Sequence, residues 1–427
     1  MLKKLSGKFL KKCFSFSTST PNVSKYITLE EKYGCHNYHP IPVVLTKGEG
    51  VYVYDEDGKR YLDFLAAYSA VNQGHNHPKI KEAMIQQLNF LTLSSRAFYT
   101  DKLGPLEEYL TSTFSYDKVL LMNTGVEAGE SAIKFARRWA YEKKMVPENQ
   151  AKILFAKGNF WGRTIAACGS SDDPERFYKF GPFGGLGFEL IEYENEVMLE
   201  DKLKNDKNIA AYMLEPIQGE RGVVIPKPGY LSKVRELCTK YNILMIADEV
   251  QTGLGRTGKI LACEWENVRP DLLLLGKALT GGFYPVSAVL CDDFIMNLIK
   301  PGQHGSTYGG NPLGAVVAKV ALQVLIEEGM IENSRKMGEI LLKGLQDIKN
   351  EKKCIKDVRG RGLMCALEFE KDIGASAWEV CLEMKDNGIL AKPTHSTTIR
   401  LTPPLVINEK QVEEALEKIK LSLKRFK

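Results

Sequence analysis

Two stretches decide how this chain folds: Ile243-Leu244-Met245-Ile246-Ala247-Asp248 and Asp271-Leu272-Leu273-Leu274-Leu275-Gly276-Lys277. Each contains a short unbroken apolar run, the pattern of a strand covered on both faces in a parallel sheet. Each run leads into a charge. Ligands of open α/β sheets bind outside the carboxyl ends of the strands, which is where Asp248 and Lys277 stand. A partly desolvated lysine can act as a nucleophilic amine, and a carboxylate can hold a protonated ring nitrogen. A lysine and an aspartate in these roles are what a pyridoxal phosphate site requires. Taken alone, the pair could equally be two solvated charges at strand ends.

Working outward, similar runs occur at Lys118–Met122, 153–156, 211–214 and 287–290, alternating with helix-like stretches such as 127–143 and 229–241. Alternating strands and helices predict a mostly parallel sheet with helices on both faces. Before this region, Gly50 to Phe64 reads as a hairpin turning at Asp55-Glu56-Asp57-Gly58. After it come a long helix over 313–328, strand-like runs at 359–369, 388–392 and Thr398–Leu401, and a last helix near Asn408. That last helix has Gln411 at its third position and an Ile407–Val412 staple. The predicted organisation is a tail over 1–29, an N-terminal segment (30–77) of a small domain, a large domain over 78–310, and a smaller α+β domain completed by 311–427.

The chain has 427 residues, 44% hydrophobic and 26% charged, an ordinary globular composition. Residues 1–29 hold six Lys and no acid; the remainder has 52 basic and 53 acidic residues. A near-neutral body gives no footprint for nucleic acid. No apolar run approaches the roughly 18 residues of a membrane span, so no membrane partner is expected. Nine scattered cysteines without a CxxC pair suit a reducing compartment and no metal site. His75 and His77 read as turn residues. In the tail, Leu2, Leu5, Phe9, Cys13 and Phe16 share one helical face opposite Lys4, Lys8 and Lys11, and a Ser/Thr run follows. This is the pattern of a mitochondrial transit peptide, although it lacks Arg, and predicts the matrix as location. A disordered basic tail on a cytoplasmic protein is the alternative.

Two further elements favour the cofactor reading. Asn123-Thr124-Gly125-Val126-Glu127 follows a strand and opens a helix, offering free N–H groups and a positive dipole end to a phosphate. Phe160-Trp161-Gly162-Arg163 offers an aromatic to stack on a flat ring and a guanidinium to grip a carboxylate. Gly253-Leu254-Gly255-Arg256-Thr257-Gly258 matches G-x-G-x-x-G, but Asp248 to Thr252 separate it from its strand and no helical period follows. Nucleotide binding is therefore not expected.

The segments Asp248 to Gly258 and Gly276-Lys277-Ala278-Leu279-Thr280-Gly281-Gly282 resemble the class III pyridoxal-phosphate aminotransferases of fold type I. The likeness runs from about residue 30 to the C-terminus. His36-Asn37-Tyr38-His39-Pro40, Tyr68-Ser69-Ala70-Val71-Asn72-Gln73-Gly74-His75 and Gly125 to Glu130 resemble the branch acting on ornithine. That branch implies transfer of ornithine's δ-amine to 2-oxoglutarate, with N-acetylornithine or 4-aminobutyrate as the alternative donor. The resemblance implies that Lys277 carries pyridoxal 5′-phosphate and moves the proton, and that Asp248 holds the ring nitrogen protonated. Gln251 would lie near the phenolic oxygen, Phe160 on the ring, and Gly125 and Val126 on the phosphate. Ser306 and Thr307 would bind the phosphate of a neighbouring subunit, which implies a homodimer or larger homo-oligomer with shared sites. Tyr38, Tyr68 and Arg163 would contact substrate, Tyr38 facing ornithine and Arg163 facing 2-oxoglutarate. Glu220 would mask Arg400 until 2-oxoglutarate arrives. Arg221 departs from the family pattern, where a small residue is expected, and its charge could compete for Glu220 and loosen the mask.

Overall fold

A computed structural model describes residues 24–371 and 373–426. Most of the predicted transit peptide lies outside the described residues. The chain divides into two compact units, Met1–Leu45 and Thr46–Lys427. In the first, Ser24 caps a helix, Lys25–Tyr33, by accepting from the Tyr26 amide at 3.3 Å. That helix has no buried residues, and a segment without regular secondary structure, which carries Tyr38, follows it.

The second unit contains three sheets. Strands β1 (Leu45–Glu49), β2 (Tyr52–Asp55), β3 (Arg60–Asp63), β4 (Lys118–Met122), β5 (Lys152–Ala156), β6 (Phe188–Ile191), β7 (Ile209–Leu214), β8 (Leu244–Asp248), β9 (Leu272–Leu275) and β10 (Ser287–Cys291) are followed by β11 (Ile355–Arg361), β12 (Met364–Phe369), β13 (Ile389–Leu390), β14 (Lys392–Thr394) and β15 (Thr398–Leu401). The central sheet has the order β4-β10-β9-β8-β7-β5-β6. Only β10 runs antiparallel, to both β4 and β9, so β4 points the same way as the other five. The carboxyl ends of β4, β5, β7, β8 and β9 therefore share one edge. The four leucines of β9 are each 0% exposed. Burying each contributes about 1.5–3 kcal/mol, which pins Lys277 two residues beyond the strand. This is the α/β architecture expected of fold type I.

Two peripheral sheets flank it, with orders β1-β2-β3-β13 and β11-β12-β15-β14. In the first, β13 from the C-terminal region pairs parallel with β3, so early and late segments of the chain share a sheet. The single strand expected over 359–369 is a hairpin, β11 and β12, turning at Gly362. In the sequence the turn is marked only by the glycines of Arg359-Gly360-Arg361-Gly362, ahead of the apolar run over 363–367. Tertiary packing selects it: Gly362 has φ +56, and a Cβ on Gly338 would lie 2.1 Å from its carbonyl oxygen.

The G-x-G-x-x-G segment forms turns, not a helix start. Its Arg256 is wholly buried and donates to the carbonyls of Leu363 (2.9 Å) and Pro403 (2.6 Å) and to Asn72 Oδ1 (2.5 Å). One guanidinium thus ties three distant segments together. Arg256→Gln is expected to destabilise the fold by about 3 kcal/mol or more, since buried acceptors lose their donors. Denaturant unfolding reads this, and an unchanged midpoint would refute the tie.

Candidate active site

The shared sheet edge opens into a cavity of about 200 Å³ lined by Gly125, Val126, Phe160, Trp161, Gly162, Glu215, Asp248, Val250, Gln251 and Lys277. Six of the eight predicted cofactor residues meet there. The strand ends account for this: Asp248 closes β8, Lys277 follows β9, Glu215 follows β7, and Phe160 lies just past β5.

Gly125 and Val126 open the helix Gly125–Glu142. Thr124 caps it, accepting from the Glu127 amide, while Glu127 Oε2 accepts from the Asn123 and Thr124 amides. The first-turn N–H groups of Gly125 and Val126 have no acceptor within the helix, and both residues line the cavity. Gly125 is needed at this point, because a Cβ there would sit 2.9 Å from Val250 Cγ1.

Lys277 stands in the left-handed region (φ 44) at the start of a 3-10 turn, Lys277–Thr280. Strain of this kind persists where the surroundings over-determine it. Burial pushes its ammonium below the ordinary lysine range, against the opposing pull of Glu220. Burial pushes the Asp248 carboxyl up to about 6, although the Val250 amide and Lys277 act the other way. Glu215 rises to about 8, from burial and then from Asp248.

Beside the cavity, Arg400 Nη1 lies 2.8 Å from Glu220 Oε1, with the Arg400 side chain 3% exposed. Burial would raise Glu220, but Arg400 and Lys277 overcome this and hold it below its usual value. Arg400 also donates to Gln251 Oε1 at 2.8 Å, so the glutamine joins the ion pair. Tyr68 faces the same guanidinium, which lies 5.3 Å from its ring centre. Tyr68 sits in a left-handed turn of four non-glycine residues, Ala66–Ser69, with φ values of 46, 48, 59 and 68. Each such residue costs roughly 1–2 kcal/mol. Asp63 Oδ1 holds the turn by accepting from the amides of Leu65 (2.9 Å) and Ala66 (2.8 Å). Thr402 adds bonds to the Phe64 and Leu65 carbonyls.

Arg163, Ser306 and Thr307, predicted residues of the same unit, are not among the residues that line the cavity. Arg163 lies 5.6 Å from the Phe160 ring centre, and Arg176 covers the same ring at 4.7 Å. Ser306 Oγ accepts from Asn123 Nδ2 at 2.9 Å, beside the cap of the Gly125–Glu142 helix, and Thr307 is exposed. Tyr38 belongs to the N-terminal unit and is exposed. Arg221 does not compete for Glu220: it donates to the Lys157 carbonyl at 3.0 Å and crosses Gly158, which has no side chain to obstruct it. Trp161 stacks on Phe155 and donates to Ser170 Oγ at 2.8 Å. His75 and His77 pair with Asp63 and Glu328, and no metal-binding cluster occurs among the described residues. Glu215 was missed in the sequence, although Glu215-Pro216 directly follows an apolar strand, the same signal that marks Asp248.

This donor set fits pyridoxal 5′-phosphate: an amine of lowered basicity, a buried carboxylate, an aromatic wall, and helix N–H groups at the glycine that admits close approach. The chain belongs to the class-III aminotransferases, whose family model matches residues 33–423, and the cofactor of that class is pyridoxal 5′-phosphate. Its relatives place it further. The mitochondrial ornithine aminotransferase of Drosophila melanogaster is 60% identical over 394 residues, 92% of this chain and 90% of that one. A crystal structure of the Toxoplasma gondii ornithine aminotransferase matches with TM-score 0.91 and 46% identity, covering 93% of this chain and 94% of that one. An Elizabethkingia anophelis structure titled acetylornithine aminotransferase matches with TM-score 0.86 and 49% identity, covering 94% and 99%.

Proposed function

We infer that this chain is a transaminase that moves the δ-amine of L-ornithine to 2-oxoglutarate, giving L-glutamate 5-semialdehyde and L-glutamate by a ping-pong route. The observation that carries the donor choice is the buried Glu220–Arg400 pair at 2.8 Å beside the Lys277 cavity. A free guanidinium there would grip an α-carboxylate and bring the α-amine to the reacting centre. Masked by Glu220, it leaves the δ-amine to enter first.

When bound, the cofactor supplies an electron sink conjugated to the substrate carbon. The chain's own residues do the rest. Lys277 Nζ, held below its ordinary pKa, takes and returns the proton at the substrate carbon. Asp248 accepts from the ring N–H, and that added positive charge favours its ionised form. Gly125 and Val126 N–H groups hold the phosphate, and Phe160 walls the ring. Glu220 releases Arg400 when 2-oxoglutarate enters, so that Arg400 takes the α-carboxylate and Arg163 the distal one. Tyr38 contacts the ornithine carboxylate, with Tyr68 beside Arg400.

We also propose a homodimer or larger assembly in which Ser306 and Thr307 serve the neighbour's phosphate. Exposed Leu88, Phe90, Phe98 and Tyr99 support it, a run of apolar side chains suited to a second copy. The mitochondrial matrix is the proposed location. The basic acid-free tail and the mitochondrial naming of the fly relative support it. Cell fractionation separates that from a cytoplasmic address.

Offering L-ornithine, N-acetyl-L-ornithine and 4-aminobutyrate separately, and following glutamate, tests the donor. Preference for either of the last two would overturn the choice of ornithine. Glu220→Ala is expected to lower kcat/KM for ornithine by about 10- to 100-fold, with 2-oxoglutarate much less affected. Equal losses for both substrates would argue against the mask.

A further inference from the structure

Glu215 is buried, 4% exposed, and its carboxyl bonds to two backbone groups from different segments. Oε1 accepts from the Phe160 amide at 2.9 Å, and Oε2 accepts from the Gly219 amide at 3.2 Å. Its backbone is also anchored: the Tyr193 hydroxyl donates to the carbonyls of Glu215 (3.2 Å) and Pro216 (3.0 Å). Tyr193 in turn packs edge-on against Tyr230, whose hydroxyl meets that of Tyr212 at 2.9 Å. Gly219 immediately precedes Glu220, and a Cβ on Gly219 would lie 2.2 Å from Gln251 Oε1. The Gly219 backbone therefore rests on the glutamine that Arg400 bonds.

We propose that Glu215 is a positioning residue for transamination: one carboxyl sets both the Phe160 wall of the cofactor cavity and the loop that holds Glu220 against Arg400. This rests on the reading of the site given above. The two acceptor oxygens can be separated chemically. Alanine removes both. Glutamine has one carbonyl oxygen, so it keeps one backbone donor and turns an NH₂ toward the other. The Phe160 bond is the shorter, so glutamine retains the wall and releases the loop.

The test compares wild type, Glu215→Gln and Glu215→Ala by two readouts. The first is the dissociation constant of pyridoxal 5′-phosphate from the apoprotein, followed by tryptophan fluorescence, since Trp161 adjoins Phe160. The second is the ratio of single-turnover rates with L-ornithine and with L-glutamate as donor, because glutamate requires Arg400 unmasked. The alanine variant is expected to weaken cofactor binding about tenfold and the glutamine variant less than about threefold. Both are expected to shift the donor ratio about tenfold toward glutamate. Wild-type values in the alanine variant, or equal cofactor affinities in the two variants, would overturn the proposal. If the alanine variant lacks a cooperative thermal transition, the glutamine variant decides. A shifted ratio with unchanged cofactor affinity supports the proposal, and an unshifted ratio overturns it. Wild-type protein that neither binds the cofactor nor transaminates ornithine would instead overturn the underlying reading of the site.

Discussion

Lys277→Ala is expected to lower the single-turnover rate with ornithine by about 10⁴-fold while the protein stays folded. The reasoning starts from position. Among the described residues that line the cavity, Lys277 is the one lysine, and four fully buried leucines fix it just past β9. Burial lowers its ammonium toward the working pH, where an amine both accepts and returns protons. Positioned proton transfer contributes roughly 10²–10⁴-fold, and loss of the covalent route adds to that. Thermal unfolding of the same sample checks folding, and a small exogenous amine such as methylamine should restore part of the rate. A loss of less than about tenfold would remove Lys277 from the proton-moving role.

Asp248→Asn is expected to lower kcat by about 10³-fold, the scale of removing one preorganised charge from a dry site. Asparagine keeps an acceptor for the Val250 amide, which Asp248 Oδ1 now binds at 3.0 Å. It cannot offer a negative charge to a ring nitrogen. A second signature separates charge from shape. Burial raises the Asp248 carboxyl to about 6, above its ordinary value near 4. The folded apoprotein therefore holds this proton more tightly than the unfolded chain does. The associated stability is fully present below the unfolded pKa and is lost as pH rises through about 6. Asparagine does not titrate, so the apo variant should lose less melting temperature than wild type across that window. Identical pH profiles together with wild-type kcat would refute the assignment.

The elements that carry the site were legible because their signals are local. Leu272–Leu275 and Lys118–Met122 form strands with those bounds, and β8 runs one residue to the carboxyl side of the predicted 243–247. The helix expected over 127–143 spans Gly125–Glu142 and begins with the capping box that Thr124 and Glu127 encode. The box at Asn408 and Gln411 also forms. Buried strands and caps depend on a few adjacent side chains, so a linear reading reaches them. The roles of Gln251, Ser306 and Arg400 came from family resemblance, because no local pattern marks a residue whose partner is over a hundred positions away.

From the sequence by itself come the class of sheet, the edge at which chemistry occurs, and the lysine and aspartate that meet there, because strand burial and strand direction are written in short apolar runs. Tertiary structure alone decided three things. It turned Ala66 to Ser69 into a left-handed run that presents Tyr68 to Arg400, against the intrinsic preference of every residue in it. It made Arg256, inside an apparent nucleotide fingerprint, a buried tie between Asn72, Leu363 and Pro403. It drew Arg221 away to Lys157 and left Arg400 to Glu220 and Gln251. Each outcome depends on which distant backbone groups and charges share a small dry volume, and only the packed chain determines that.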